Sequence, residues 1–305
     1  MMKHFSDKFT LKSIFLKFLN LFRLIKGTLL NPQEFPPGHY HSPIPSFHKI
    51  RNKESKIFHT PRFIPSVDLN DPEQNKLLEE FKGFYNEIPF KPYKEEGLRY
   101  YFENQFYSYS DAIFLYFMIR HVKPKRIIEV GSGHSSCVIL DTNEIYFNNN
   151  INCTFIEPFP ERLLSLIKIS DNENIELINQ DVQDININIF RSLSENDILF
   201  VDSTHISKIN SDVNYILFEI LPTLKKGVYI HFHDIFYPFE YPKEWIFNGR
   251  SWNEAYMLRA FLQYNHSFKI VFFNTYMQHI FKNKFQEEYP LCMKNTGGSI
   301  WLKKF

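Results

Sequence analysis

The stretch that most limits what this chain can fold into spans residues 126–136 and reads RIIEVGSGHSS. The apolar pair Ile127-Ile128 leads to Glu129, and the glycines Gly131 and Gly133 follow. This pattern is typical of a buried strand that ends in a tight glycine turn and continues into a helix. Backbone N–H groups at such a turn can approach a ligand closely. Because ligands of open α/β sheets bind at the carboxyl ends of strands, the turn predicts a ligand site.

Apolar runs alternate with helical patterns from residue 126 to residue 305, which predicts an α/β fold with a largely parallel sheet between helices. Seven strands are predicted, at 126–130, 153–157, 175–179, 197–202, 227–233, 268–273 and 298–303. Helices are predicted at 135–146, 160–169, 213–224 and 252–264. Since no clear helix is expected between the last two strands, we predict that the last strand is antiparallel.

The region before the sheet divides into two predicted parts. Residues 1–30 combine a basic stripe with a wide apolar face, which predicts an amphipathic helix. That helix either packs on a protein surface, of this domain or of a partner subunit, or lies on an anionic membrane surface. Residues 31–110 are rich in proline and aromatic residues, which predicts an ordered cap or arm with a helix at 73–85. A helix at 111–121 then opens the main domain, residues 111–305.

The charge and the cysteine content limit which partners and which cellular location we expect for the chain. The net charge of +1 gives no reason to expect nucleic-acid binding. Three cysteines, Cys137, Cys153 and Cys292, show no disulfide or zinc spacing, so we expect a reducing, cytoplasmic location. Peripheral contact with the inner membrane face through residues 1–30, and a homo-oligomer, both stay open at this point.

The glycine turn resembles the first motif of class I S-adenosylmethionine (SAM)-dependent methyltransferases, E/D-x-G-x-G, here Glu129 to Gly133. The resemblance implies a Rossmann-like sheet of seven strands and SAM as the cofactor. It also implies that Glu157, at the second strand end, accepts hydrogen bonds from ribose hydroxyls and that Asp181 lies near the adenine amino group. The residues expected at the cofactor on this basis are Glu129, Gly131, Ser132, Gly133, Ser135, Glu157, Asp181 and Asp202.

Polar residues follow the fourth and fifth strands, where the predicted sheet brings them to the same edge as the glycine turn. Asp202 and His205 follow the fourth strand, and His233 and Asp234 end the fifth. Methyl transfer requires a nucleophile held in line with the donor, and often removal of its proton. His205 is the expected base, because the usual pKa of histidine lies near neutral pH. His231 and His233 point to one sheet face, and we expect His231 to be a hydrogen-bonded histidine beneath a helix.

Some metal-dependent O-methyltransferases of this superfamily carry an acid at the fourth strand end and an acidic pair at the fifth. Macrocin-type sugar methyltransferases also carry Asp-x-x-His at the fourth, which Asp202 and His205 match. This resemblance implies that Asp202 and Asp234 share a divalent cation. His233 replaces one acid of the pair, so a mixed site would suit Mn, Fe or Zn better than Mg. Alternatively no metal binds, and His233 orients the substrate.

The segment after the fifth strand is rich in aromatic residues, among them Trp245 and Trp252, together with Arg250 and Glu254. Such a loop suits recognition of a sugar or another polyol. We therefore expect a SAM-dependent O-methyltransferase acting on a sugar or other small hydroxylated metabolite. Two alternatives are a nucleotide-cofactor (NAD) oxidoreductase and a non-catalytic, membrane-associated scaffold with the same fold.

Overall fold

The structure, a computed structural model, describes residues 34–305. The amphipathic helix predicted for residues 1–30 therefore lies outside the described residues. The described chain falls into two compact units, residues 34–57 and residues 58–305. The first contains two short helices, α1 (Phe47–Arg51) and α2 (Glu54–Ile57), in a proline-rich stretch where little regular structure is expected. Ser46 caps α1, because its hydroxyl accepts a hydrogen bond from the Lys49 N–H.

Residues 58–305 contain one sheet of seven strands in the order β3-β2-β1-β4-β5-β7-β6. The strands are β1 (Arg126–Val130), β2 (Asn152–Ile156), β3 (Ile175–Ile178), β4 (Ile198–Val201), β5 (Tyr229–His233), β6 (Phe268–Phe273) and β7 (Ser299–Lys304). Strands β1 to β5 pair in parallel, and β7 lies antiparallel between β5 and β6. The predicted α/β sheet with an antiparallel last strand is confirmed.

The helices of this unit flank the sheet strands in sequence. They are α3 (Asp71–Tyr85), α4 (Ser110–Val122), α5 (His134–Phe147), α6 (Glu161–Leu166), α7 (Asn188–Arg191), α8 (Asp212–Tyr215), α9 (Leu221–Thr223), α10 (Lys243–Phe247), α11 (Glu254–Leu262), α12 (Asn274–Ile280) and α13 (Lys282–Glu288). A π-helical segment, Ile216–Ile220, joins α8 to α9. In residues 34–305 no helix has both the length and the apolar character needed to cross a membrane.

The connection between β6 and β7 corrects the sequence analysis, which expects no clear helix there. It contains α12, α13 and a 3-10 turn at Pro290–Met293. Each helix has seven residues, which is too short for an apolar period to stand out. Their buried side chains, Met277 and Phe285, still pack into the core. The antiparallel pairing is thus right, although the reason given for it is wrong.

Residues 58–110 of the predicted cap belong to the same unit as the sheet. The Asn70 side chain, just before α3, donates a hydrogen bond to the Ile270 carbonyl at 2.9 Å. Gln74 of α3 accepts one from the Phe273 N–H at 2.7 Å. Because β6 is an edge strand, these amide side chains satisfy backbone groups that would otherwise be unpaired. Asn70 and Gln74 thus cover part of this edge of the sheet.

Candidate active site

The glycine turn after β1 is held by the neighbouring strands. Gly131 has a φ of +82°, and a Cβ there would lie 1.9 Å from the carbonyl oxygen of Asp202. The Gly131 N–H donates to the Ile156 carbonyl at 2.9 Å, and the Asp202 N–H donates to the Val130 carbonyl at 2.8 Å. Only glycine allows this close approach. The turn therefore brings the carboxyl ends of β1, β2 and β4 together.

Glu157, directly after β2, faces a cavity of about 440 Å³, which we call the strand-end cleft. Its two carboxylate oxygens accept hydrogen bonds from the N–H groups of Ser132, at 3.0 Å, and Phe159, at 2.9 Å. Each oxygen has a second lone pair that remains available to a ligand hydroxyl. Asp181 lines the same cleft and is exposed. Two predicted cofactor residues are thus at one cavity.

A smaller cavity of about 210 Å³, the turn cleft, lies over the glycine turn. Ser132, Gly133 and Ser135 line it, and Glu157 and Asp202 line both this cleft and the strand-end cleft. The buried Ser132 side chain lies at this cleft beside the Glu129 carboxylate, whose pKa its hydrogen bond lowers. The glycine cradle and the strand-end carboxylate fit SAM.

Glu129, also predicted at the cofactor, has a different position. Its side chain is buried beneath the turn and forms a hydrogen bond with the Ser136 hydroxyl. It lines neither the strand-end cleft nor the turn cleft. Burial raises its pKa to about 8, although hydrogen bonds from Ser135 and Ser136 oppose the shift. The hydrogen bond with Ser136 supports the shape of the turn, and a cofactor contact of Glu129 stays a prediction.

A third cavity, of about 420 Å³, is the aromatic cleft. Phe236, Trp245 and Trp252 line it together with His233 and Asp234. Phe106 lines both this cleft and the turn cleft. The three clefts therefore form a row along the carboxyl edge of the sheet.

The clefts meet at a hydrogen bond between two predicted site residues. His233 Nδ1 lies 3.1 Å from Asp202 Oδ1, so it joins the cofactor side to the aromatic cleft. On its other side His233 Nε2 lies 3.6 Å from Asp111 Oδ2 and 3.8 Å from Asp234 Oδ1. Burial alone would lower the pKa of His233, but the carboxylates of Asp234 and Asp202 outweigh it and raise this pKa well above its usual value.

His205 lies behind this junction and is almost fully buried. Its Nδ1 is 2.7 Å from Glu254 Oε2, and its Nε2 is 3.4 Å from Asp202 and 3.5 Å from Asp234. Burial would lower its pKa, but hydrogen bonds with Asp202 and Glu254 dominate and raise it to about 10. His205 is therefore an imidazolium at neutral pH. It lines none of the three clefts.

The two strand-end aspartates respond differently to these imidazoles. Burial tends to raise the pKa of Asp202, but the charges and hydrogen bonds of His233 and His205 lower it far below its usual value. For Asp234 burial dominates, and the pKa is raised although both histidines oppose the shift. Asp234 also has a φ of +55°, a strained backbone position that is found at functional sites more often than elsewhere.

The four residues Asp202, His205, His233 and Asp234 come together as expected. The imidazole Nε2 of His205 lies within 3.5 Å of both aspartates. Across residues 34–305 no group of three or more His, Cys, Asp or Glu side chains is arranged to hold a metal ion. A cation at Asp202 and Asp234 would compete with the imidazole proton for the same carboxylate oxygens, and the shared divalent cation stays a prediction.

His231 corrects the sequence analysis, which expects a hydrogen-bonded side chain. It is fully buried, and in the described part of the chain neither ring nitrogen has a hydrogen-bond partner. Its ring stacks on Phe200 at 4.0 Å and meets the edge of Trp301 at 4.8 Å. Burial lowers its pKa well below the usual value, so the ring is neutral and packs as an aromatic side chain.

Two further acids belong to the site: Asp111 is not predicted from the sequence, and Glu254 is expected in the sugar-recognition loop but not beside His205. Asp111 lies in the first turn of the apolar helix α4 and accepts hydrogen bonds from the Gly298 N–H at 3.0 Å and the Ser299 hydroxyl at 2.8 Å. Glu254 begins α11 and also accepts from the Ser203 hydroxyl at 2.8 Å. The available signal is a carboxylate at the start of an otherwise apolar helix. It is weak, because acids in the first helical turn are common for reasons of the helix dipole.

Comparison with known proteins identifies the family. A family model described as a methyltransferase domain matches residues 128–235. An uncharacterised protein of Archaeoglobus fulgidus is 38% identical over 166 residues, which cover 53% of this chain and 75% of that protein.

Solved structures with a similar path of the chain include several methyltransferases. The D160 form of CmcI with Mg and SAM is 17% identical, with a TM-score of 0.41, over 70% of this chain and 77% of its own. PaMTH1 of Podospora anserina, bound to S-adenosylhomocysteine (SAH), is 12% identical, with a TM-score of 0.43, over 90% of this chain and 99% of its own. The O-methyltransferase TomG of Streptomyces achromogenes, in complex with SAM, is 13% identical, with a TM-score of 0.42, over 84% of this chain and 96% of its own.

The strand order separates this family from the dehydrogenases that share its first motif. Dinucleotide dehydrogenases have six parallel strands in the order 3-2-1-4-5-6. Here an antiparallel β7 is inserted between β5 and β6. With the matching methyltransferase domain, this order leaves no support for the alternative of an NAD oxidoreductase. The chain belongs to the class I SAM-dependent methyltransferases and is an enzyme of that family.

Proposed function

We propose that this enzyme transfers the methyl group of SAM to a hydroxyl of a small molecule, such as a sugar, held in the aromatic cleft. The observation that carries the proposal is the 3.1 Å contact between Asp202 and His233, at which the cofactor clefts and the aromatic cleft meet. SAM, when bound, supplies a methyl group on a positively charged sulfur. The residues of this chain hold the acceptor hydroxyl next to that group and receive its proton.

The aromatic cleft has the size and lining of a small-molecule site. Its volume of about 420 Å³ falls in the usual range for such pockets. Trp245 meets Phe236 edge-on at 5.1 Å and Trp252 at 5.5 Å, so the three rings form a rigid wall. Flat aromatic faces suit the C–H surface of a sugar ring or another cyclic acceptor. His233 and Asp234 provide polar groups in the same cleft.

Asp234 is the proposed proton acceptor, because its side chain lines the aromatic cleft and its pKa is raised by burial. A carboxylate with a raised pKa is a better base than an ordinary surface aspartate. We assign His205 a positioning role instead of the role of base predicted from the sequence. Its imidazolium holds Asp202 and Asp234 from behind, at 3.4 and 3.5 Å, and is itself oriented by Glu254. His233 orients the acceptor hydroxyl.

The experiment is a comparison of Asp234→Asn with the wild-type enzyme. Release of SAH from SAM is measured with a panel of sugars, sugar phosphates and hydroxylated acids, and SAH affinity is measured separately by calorimetry. We expect turnover to fall by about 10²- to 10⁴-fold, the usual contribution of a general base. SAH affinity should change little, because Asp234 lines neither cofactor cleft.

Asp68→Asn is the matched control, since Asp68 is exposed and lines none of the three clefts. It should leave both turnover and SAH affinity unchanged. Wild-type turnover in Asp234→Asn would reject the assignment of the base. O-methylation would be rejected if the wild-type enzyme binds SAH but releases none from SAM with any hydroxylated acceptor of the panel.

A further inference from the structure

Arg250 is a cation of the aromatic cleft that the proposed methyl transfer does not use. Its guanidinium lies 4.0 Å over the ring of Trp245 and 5.0 Å from that of Trp252. The residue is exposed, and no carboxylate of residues 34–305 forms an ion pair with it. Contacts with ring faces leave the N–H groups at the edge of the guanidinium plane free to bind another group.

The local sequence fixes the position of Arg250. Helix α10 ends with Gly249 at a φ of +92°. The Gly249 N–H donates to the Ile246 carbonyl at 3.0 Å, and the Arg250 N–H donates to the Trp245 carbonyl at 3.1 Å. This pair of bonds is the Schellman motif, which folds the residue after the glycine back onto the last helical turn. Arg250 therefore lies over Trp245 because of the backbone turn, and its long side chain is held at the cleft.

The acidic groups of the same cleft already have cationic partners. Asp111 faces His233 at 3.6 Å and also accepts the Gly298 N–H at 3.0 Å. Asp234 faces His205 at 3.5 Å and His233 at 3.8 Å. Both histidines carry raised pKa values, which keeps the rings charged. Arg250 is thus the cation of this cleft whose counter-ion is missing from residues 34–305.

We propose that the acceptor carries an anionic oxygen group, a carboxylate or a phosphate ester, and that Arg250 binds it. This inference rests on the proposed function, since it names the class of molecule that occupies the aromatic cleft. A guanidinium with free edge N–H groups binds such anions through two parallel hydrogen bonds. The anion at Arg250 and the ring on the tryptophan wall together orient the hydroxyl toward His233 and Asp234. Neutral polyols lack the first of these contacts and bind more weakly.

The test uses inorganic phosphate and benzoate as probes, titrated separately into the full-length enzyme saturated with SAH. Binding is followed by the fluorescence of the tryptophans that contact Arg250 and, independently, by the rise in melting temperature. We expect saturable binding of at least one probe, weakened at least tenfold in Arg250→Gln and retained in part in Arg250→Lys. A preference for phosphate points to a phosphorylated acceptor, and a preference for benzoate points to an organic acid.

Arg126→Gln is the matched control, because Arg126 is also exposed but lines a separate cavity at the opposite edge of the sheet. It should bind both probes as the wild type does. Equal binding by Arg250→Gln and wild type, or no saturable binding of either anion by the wild type, would overturn the inference.

The two proposals fail in different ways. Methyl transfer that favours a neutral sugar over its phosphate ester and its uronic acid would overturn the anionic acceptor and leave O-methylation in place. Binding of the probes at Arg250 without any SAM turnover would instead count against the proposed function. SAH affinity, measured in the same variants, should not change, because Arg250 lines neither the strand-end cleft nor the turn cleft.

Discussion

Replacing Gly131 by alanine tests whether the turn after β1 is the structural basis of the cofactor site. The new Cβ would lie 1.9 Å from the Asp202 carbonyl oxygen, at a residue whose φ is +82°. Contacts this short do not occur, so the turn and the start of the β4 loop must separate by about 1 Å. That movement breaks the hydrogen bond from the Asp202 N–H to the Val130 carbonyl, now 2.8 Å long.

The expected cost follows from two contributions. A non-glycine residue in the left-handed region costs about 1–2 kcal/mol. Loss of one buried backbone hydrogen bond costs about 1 kcal/mol more. We therefore expect the free energy of unfolding of Gly131→Ala to fall by about 2–3 kcal/mol in urea denaturation. SAH affinity should fall at least tenfold, because Gly131 and Asp202 line both cofactor clefts.

Substitutions of two other glycines separate the backbone cost of Gly131→Ala from the cost of its close approach to Asp202. Gly249 has a φ of +92° but open space around its Cβ position, so Gly249→Ala should cost only the backbone term and leave SAH affinity unchanged. Gly83 lies inside α3 with nothing nearby, and Gly83→Ala should stabilise the protein by about 0.5–1 kcal/mol. A Gly131→Ala variant as stable as Gly249→Ala, with wild-type SAH affinity, would refute the close approach and its role.

Glu157→Gln should weaken SAH binding by about 10-fold or more, because charge-assisted hydrogen bonds contribute about 1.5–3 kcal/mol each. Calorimetry measures this affinity, and the control is Glu161→Gln, which changes an exposed acid of α6. Equal weakening of SAH binding in the two variants would contradict the prediction. The pKa of His205 is raised from 6.5 to about 10. Its contribution to stability is therefore full below pH 6.5 and lost as pH rises through about 10. The difference in unfolding free energy between wild type and His205→Gln should shrink over that range, and a constant difference would disprove the raised pKa.

The central strands β1, β4 and β5 could be predicted from the sequence because they are buried on both faces. β4, Ile198–Val201, is buried throughout and stands between turn residues, so its apolar run is unambiguous. The helices α12 and α13 could not be predicted from the sequence, because each makes only two turns and the spacing of its apolar residues is not repeated. The glycine turn could be predicted for a further reason, since its residue types follow from a backbone shape that few other residues tolerate.

Only part of the candidate site could be predicted from the sequence. Strand ends bring Asp202 and His233 together in any sheet with this topology, and the sequence order is enough to predict it. Asp111 lies far from them in sequence and is held near His233 by its hydrogen bonds with Gly298 and Ser299 at the start of β7. The proton positions depend on burial and on several carboxylates at once. The sequence suggested His205 as a base near neutral pH, whereas Glu254 and Asp202 together hold it charged.

The most direct test of the central claim is to follow the methyl group itself. The enzyme is incubated with SAM carrying a deuterated methyl group and a panel of small hydroxylated molecules, and the products are analysed by mass spectrometry and NMR. We predict that the label appears on an oxygen of an acceptor that also carries a carboxylate or phosphate, and that Asp234→Asn slows its appearance by about 10²- to 10⁴-fold. Label on nitrogen or carbon, or bound SAM without transfer to any acceptor, would contradict the account.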